Sequence, residues 1–294
     1  MSVLRKGAKR LYDALPFKQP LFTLVRTLVP VPERIHKHLH FKGVITVPIT
    51  PGGSFKMVHH GYVIENELFW RGLEGWEKVS ARLWVLLCRR SHTILDIGAN
   101  TGVYALIAKT VQPEATVAAV EPVQRVFSKM QANFALNPGS IHAVHAAVSD
   151  STGTATLYDL PESEHVLSVS LESEWNKAST QLRPVEVPCV TVMDLLARIG
   201  SAEVDLLKID VETHEAAVLR GFIDLIRKDR PTMLIEILND TVAQQVMDLI
   251  GGLDYLYFNI DEVTWPPRQL PELSRSAHFN FLICRPEIAT SIGL

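Results

Sequence analysis

No stretch of the 294-residue chain stays apolar for the roughly 18–20 residues that a bilayer-spanning helix needs. Cysteine is scarce. Cys88, Cys189 and Cys284 are odd in number, widely spaced and outside any C-x-x-C pair, so neither a disulfide framework nor a thiolate metal site is expected. Each lies in an apolar context and reads as a reduced core residue. Several chemistry-bearing signatures are also missing. After Gly98, a dinucleotide fingerprint requires glycine at 100 and 103, where Asn100 and Val103 stand. The Gly-Lys-Ser/Thr of a phosphate-cradling loop does not occur. His214-Glu215 meets Val218 where a zinc protease needs its second histidine, and no metal ligands are assigned. Trp265-Pro266-Pro267 does not match the Asn/Asp-Pro-Pro-Tyr/Phe signature of nucleic-acid amino-methylation, so no nucleic-acid partner is expected. The basic start of the chain is broken by Pro16, Pro20, Pro30 and Pro32 and lacks a small-residue cleavage site, which argues against a secretory signal and for the cytoplasm.

What is present is the balance of a folded globular chain, with 47% hydrophobic and 21% charged residues. The net charge of −3 is unevenly spread. Residues 1–42 hold nine Lys/Arg against Asp13 and Glu33, or +7, which leaves −10 on the remainder. Within that lead-in Leu4, Ala8, Leu11 and Leu15 recur at helical spacing. It reads either as a helix for a membrane surface or acidic partner, or as one that packs on the core or on a second subunit of a homodimer. The second reading is preferred, with membrane association held as the alternative.

Three zones follow. Residues 1 to about 40 are the lead-in. Residues 41–90 form a cap, with strand-like Gly43–Val47 and Phe55–Val58 around the turn Pro51-Gly52-Gly53-Ser54, then helical spacing from Trp76 to Leu87. From about residue 92, seven strand-like runs appear at His92–Ile97, Thr116–Val120, Ile141–Val148, Val204–Ile209, Thr232–Ile237, Tyr255–Ile260 and Phe279–Cys284. Helical patterns separate the earlier ones, at Val103–Thr110, Val123–Leu136, His214–Leu225 and Val242–Leu249. The alternation predicts an α/β fold, a doubly wound, mainly parallel, seven-stranded Rossmann-like sheet at 91–294 behind an N-terminal helical and β cap at 1–90. Ligands of such sheets bind beyond the carboxyl ends of the strands, where Asp96, Glu121, Asp210 and Glu236 fall.

The densest signal is Ile94-Leu95-Asp96-Ile97-Gly98-Ala99-Asn100-Thr101-Gly102-Val103-Tyr104, a buried strand that turns through two glycines into a helix. A carboxylate at the mouth of that turn repels phosphate and suits a ligand with a positive end, such as the ammonium and sulfonium of S-adenosyl-L-methionine. Glu121 ends the next strand and can accept hydrogen bonds from both ribose hydroxyls. That pairing fits NAD equally; the missing glycines separate the two. A second cluster, Lys208-Ile209-Asp210-Val211-Glu212-Thr213-His214-Glu215, places Asp210, Glu212 and His214 in alternation, so that they could face one side and do acid–base work on a hydroxyl. Glu215 reads as a helix N-terminal charge and Gly221 as a helix end. Glu236, inside an apolar strand, either pairs with Lys208 or faces the cleft.

These segments, with Val120-Glu121-Pro122, Ala147-Val148-Ser149-Asp150, Ile235-Glu236, and upstream Glu65–Trp70 and Trp76-Glu77, resemble the FkbM-type methyltransferases in order and spacing over roughly residues 41–284. Thr213 stands where that family usually has glycine, a change read here as sterically conservative. The resemblance implies a class I fold that binds S-adenosylmethionine and methylates a hydroxyl of a sugar, glycoconjugate or secondary metabolite. Asp96, Gly98, Ala99, Asn100, Gly102 and Tyr104 would hold the methionine end, Glu121 with Pro122 the ribose, and Val148, Ser149 and Asp150 the adenine. Asp210, Glu212, His214 and Glu236 would line the acceptor side, with His214 or Asp210 as base. The alternative is a non-catalytic subunit that binds a partner through its N-terminal region.

Overall fold

The computed structural model describes residue 12 and residues 16–159 and 183–294. In chain order these form α1 (Lys18–Leu28), α2 (Glu33–His36), β1 (Gly43–Ile49), β2 (Gly53–His59), α3 (Val63–Arg71), α4 (Lys78–Cys88), β3 (Thr93–Ile97), α5 (Val103–Val111), β4 (Thr116–Val120) and α6 (Gln124–Phe134). There follow β5 (His142–Val144), β6 (Ala147–Val148), β7 (Gly153–Asp159), β8 (Arg183–Val190), α7 (Val192–Ile199), β9 (Leu206–Ile209), α8 (Glu215–Arg220) and α9 (Ile223–Asp229). The chain closes with β10 (Thr232–Glu236), α10 (Asp240–Ile250), β11 (Leu256–Asn259), β12 (Arg268–Leu270), β13 (Asn280–Cys284) and α11 (Pro286–Ser291). The expected lead-in residues Leu4, Ala8, Leu11 and Leu15 lie outside the described residues.

The main sheet has eight strands in the order β12-β11-β13-β10-β9-β3-β4-β5. The run from β10 to β5 is parallel, and β13 enters antiparallel between β10 and β11. All seven expected strands contribute to it. The eighth, β12, is a short edge strand whose polar Arg268 and Gln269 gave no apolar run. A separate three-stranded sheet, β6-β8-β7, was not foreseen, and the expected Ile141–Val148 strand is divided between the two sheets. The interruption at His145-Ala146 sends the chain from one sheet to the other.

The central strands are buried on both sides, so their sequences run apolar rather than alternating with polar residues. Their side chains still alternate by face. Ile94, Leu206, Leu234, Phe258 and Leu282 share one core with α4, α5 and the β1–β2 hairpin, which contributes Ile45, Val47, Phe55 and Met57. Leu95, Ile97, Leu207, Ile209, Met233 and Ile235 face a second core under α7, α8 and α10. Trp84 of α4 is fully buried, and its Nε1 donates to the Tyr104 carbonyl at 2.9 Å. Phe22 of α1 packs on Phe41 and Trp70, with ring centroids 6.0 and 5.6 Å away. Phe22 thus joins α1 to the first core. No helix among the described residues is long and apolar enough to cross a membrane.

Candidate functional site

The strand order reverses between β3 and β9, since the chain builds outward to β4 and β5 on one side and to β9 and β10 on the other. That reversal opens a crevice at the carboxyl ends of β3 and β9. Asp210 N donates to the Ile97 carbonyl at 3.0 Å and draws the two strand ends together. The approach is so close that a Cβ on Gly98 would penetrate the Asp210 carbonyl, and Gly98 also takes the left-handed φ of 78°. The amides of Gly98 and Ala99 both donate to the Val120 carbonyl, at 3.0 and 2.9 Å. Gly102 caps α5 at φ 85°, where a Cβ would lie 2.5 Å from the Phe134 ring. Between them Asn100, at φ 50°, donates its amide to Glu121 Oε2 at 3.0 Å.

Two residues that the sequence did not single out hold this turn. Phe134 lies under Gly102. Asn133 accepts from Val58 N at 2.8 Å and donates to the Thr101 carbonyl at 2.9 Å, so that α6 ties the hairpin to the turn. A signal was available: Val126, Phe127, Met130 and Asn133 form the buried face of α6, and a polar residue at such a position demands partners.

Asp96 is 1% exposed, and its Oδ2 accepts from Ala105 N in the first turn of α5 at 2.9 Å. Burial raises its pKa to about 7 against the opposing pull of Lys208. It anchors the helix beneath the turn. Glu121 is also buried; Oε1 accepts from Val123 N at 2.8 Å, and burial pushes its pKa up to about 8. Each of its oxygens has a lone pair left over. A vicinal diol could donate to both oxygens. Beside it the Pro122 carbonyl lies 2.8 Å from His145 Nε2.

The acceptor-side residues separate into two groups. Asp210, Glu212 and Glu236 each bring a carboxylate oxygen within 4.8 Å of the others. Lys208 stands among them, 2% exposed, with Nζ 3.0 Å from Asp210 Oδ2. Burial alone would lower its pKa, but Asp210, Glu77 and Glu236 outweigh that and hold it above the ordinary lysine value. Burial, with Asp210 beside it, raises the Glu236 carboxyl. Glu236 is half-buried and lies within the field of Lys208, whose Nζ is paired with Asp210. Glu77, just before α4, accepts from the Tyr104 hydroxyl at 2.6 Å and from Asn280 at 3.3 Å. Tyr104 is therefore engaged by the cap.

His214 does not join the carboxylates. Its Nε2 lies 2.8 Å from Ser149 Oγ, on the side where Asp150 pairs with Arg220 at 3.3 Å. The expected alternation of Asp210, Glu212 and His214 fails because Glu212 and Thr213 take left-handed backbone, at φ 53° and 79°. The exchange of glycine for Thr213 is accordingly not conservative, since a β-branched residue is strained at that φ. Glu215 is the first residue of α8, as expected of a helix N-terminal charge, but it is fully buried. Its Oε1 accepts from Val211 N and Thr213 N, both at 3.3 Å, while Oε2 has no hydrogen-bond partner among the described residues. Burial raises its pKa to about 8. Gly221 ends α8 at 2.5 Å, measured from a Cβ placed there, from the Ser149 carbonyl. Val148, just before Ser149, is buried in the second core.

Residues 96–257, more than half of the chain, match the family model of the methyltransferase FkbM domain. Among curated proteins, the chain is 30% identical over 145 residues to methyltransferase 1 of Beauveria bassiana, an alignment that takes in 45% of this chain and 58% of that protein. It is 27% identical over 159 residues to the 31-O-demethyl-FK506 methyltransferase FkbM of Streptomyces tacrolimicus, covering 46% of this chain and 61% of the relative. The alignments thus span less than two thirds of the relatives' own length. A solved structure of methyltransferase FkbM from Methylobacillus flagellatus is a distant likeness, with 15% identity and a TM-score of 0.40 over 76% of this chain and 53% of the other.

Proposed function

The chain belongs to the FkbM methyltransferase family, and from that premise we propose that it transfers a methyl group from S-adenosylmethionine to a hydroxyl oxygen of a sugar, glycoconjugate or secondary metabolite. The observation that carries the reading is the Gly98–Gly102 turn set at the strand-order reversal beside the desolvated Glu121 carboxylate. Oxygen as the receiving atom is supported by the Streptomyces tacrolimicus relative, whose name specifies a 31-O-demethyl acceptor. Residues 91–294 would be the catalytic domain and 1–90 its cap.

Bound there, S-adenosylmethionine would supply an electrophilic methyl group. Gly98, Ala99, Asn100 and Gly102 shape the wall for its methionine end, with Asp96 fixing the helix beneath them. Glu121 receives the ribose hydroxyls beside Pro122. Val148, Ser149 and Asp150 flank the adenine. Asp210 is the base: its side chain is 33% exposed at the crevice, held by Lys208 at 3.0 Å. His214 is a weaker candidate because Ser149 engages its Nε2, and Glu212 and Glu236 line the acceptor side. Alignment of acceptor and donor supplies much of the rate, and a positioned base adds about 10²–10⁴-fold.

S-adenosylmethionine at about 100 times its Kd should stabilise the protein by roughly 2.7 kcal/mol in thermal denaturation, and NAD should not. Absence of that shift removes the donor assignment. Asp210→Asn should preserve the shift and lower S-adenosylhomocysteine release from a responsive acceptor by about 10²–10⁴-fold. Full turnover in Asp210→Asn, with loss in His214→Ala, transfers the role to His214.

A further inference from the structure

Helix α1 is apolar on two sides. Phe22 faces the core, whereas Leu21, Leu24 and Leu28, with Phe17 just ahead of the helix, are 52–79% exposed. Spacings of three and four residues place Leu21, Leu24 and Leu28 within about 60° of arc at roughly 100° per residue, with Phe17 at the left-handed N-cap before them. Val29 and Ile35, next along the chain, are exposed as well. A contiguous row of large apolar side chains in water calls for a covering surface. The segment that carries it is net positive, with Arg26 turned to the core side over the Phe69 ring. Residues 16–42 carry Lys18, Arg26, Arg34, Lys37 and Lys42 against Glu33, or +4, while the chain beyond residue 42 is −10.

We propose that the exposed face of α1 docks on an anionic lipid surface, with Phe17, Leu21, Leu24 and Leu28 entering the headgroup boundary and Arg34, Lys37 and Lys42 meeting lipid phosphates. Leucine and phenylalanine on one side of a helix in a basic segment is the arrangement that binds such interfaces. Each cation near the surface adds attraction that decays within a Debye length. A contact between two copies through this segment would set net positive charge against net positive charge. The same segregation turns the acidic body away from the membrane, so the molecule docks in one orientation.

The test is co-sedimentation of the full chain with phosphatidylcholine vesicles, with and without about 30% phosphatidylglycerol. Binding is expected on the anionic vesicles, about tenfold weaker on neutral ones and about tenfold weaker when NaCl rises from about 0.05 to 0.5 M. The triple variant Leu21→Gln, Leu24→Gln, Leu28→Gln should lose at least tenfold in partitioning while keeping its melting temperature, because the replaced side chains lie in water. Arg34→Gln, Lys37→Gln, Lys42→Gln should abolish the preference for anionic lipid and decides the matter if the leucine variant fails to fold. Equal binding to both vesicles, no binding, or undiminished binding by the leucine variant overturns the proposal. So does concentration-dependent self-association in sedimentation velocity that the leucine variant abolishes without any vesicle binding.

Discussion

The loops that leave β3 and β9 stand side by side at the crevice and meet their conformational demands in opposite ways. After β3, the left-handed positions are Gly98, Asn100 and Gly102, residue types that adopt such backbone readily. After β9, they are Glu212 and Thr213, of which a β-branched residue is among the least suited. The first loop rests in its preferred conformation. The second is held there by the buried carboxylate of Glu215, which gathers two of its amides. Shape at the donor turn is thus intrinsic to its residues, whereas shape at the acidic loop is imposed by tertiary contact.

The difference can be broken most forcefully at Gly98. Gly98→Ala adds a methyl group into the Asp210 carbonyl and puts a side chain at φ 78°. A destabilisation of about 3 kcal/mol is expected in urea denaturation. A cost below about 1 kcal/mol would mean that the two loops do not press on each other as described.

Glu215→Gln should act with pH. The wild-type carboxyl has a folded pKa of about 8 against an ordinary 4.5. Its contribution is therefore full below 4.5 and is lost as pH rises towards 8. Asp96 and Glu121, raised for the same reason, slope the same way. The glutamine variant keeps an acceptor without the ionisation, so its stability should fall less between about pH 5 and 8, by on the order of 1–3 kcal/mol. Parallel curves for the two proteins would sink this account.

The smallest effect sharpens the contrast instead. Thr213→Gly relieves the left-handed threonine and should stabilise the fold by up to about 1 kcal/mol, since the relief exceeds the added chain entropy. A lower melting temperature in the variant would show that Thr213 earns its place through contacts rather than bearing strain.

What was legible in the sequence follows the same division. Ile94–Tyr104 declared its strand, turn and helix because apolar run, glycine spacing and periodicity agree locally. The central strands β3, β9 and β10 are legible because burial on both faces makes them continuous apolar segments. The acidic loop is not legible, because alternation presumes extended backbone and nothing local announces φ above zero at Glu212 and Thr213. The β6-β8-β7 sheet escaped because β8 is exposed along its first half, Arg183–Glu186, and lacks an apolar face there. Glu77 has no local signature of its role, since its pairing with Tyr104 joins residues 27 positions apart.

Lys208 carries a last consequence. One ammonium group serves Asp210 directly and Glu77 and Glu236 through its field. The carboxyls around it therefore share one neutralising positive charge. Removing any one of them redistributes charge over the rest, and substituting the lysine removes the positive charge they share. Rate profiles of single variants at this rim will report the state of the whole ensemble, and only paired substitutions in a double-mutant cycle will separate one carboxylate's part from another's.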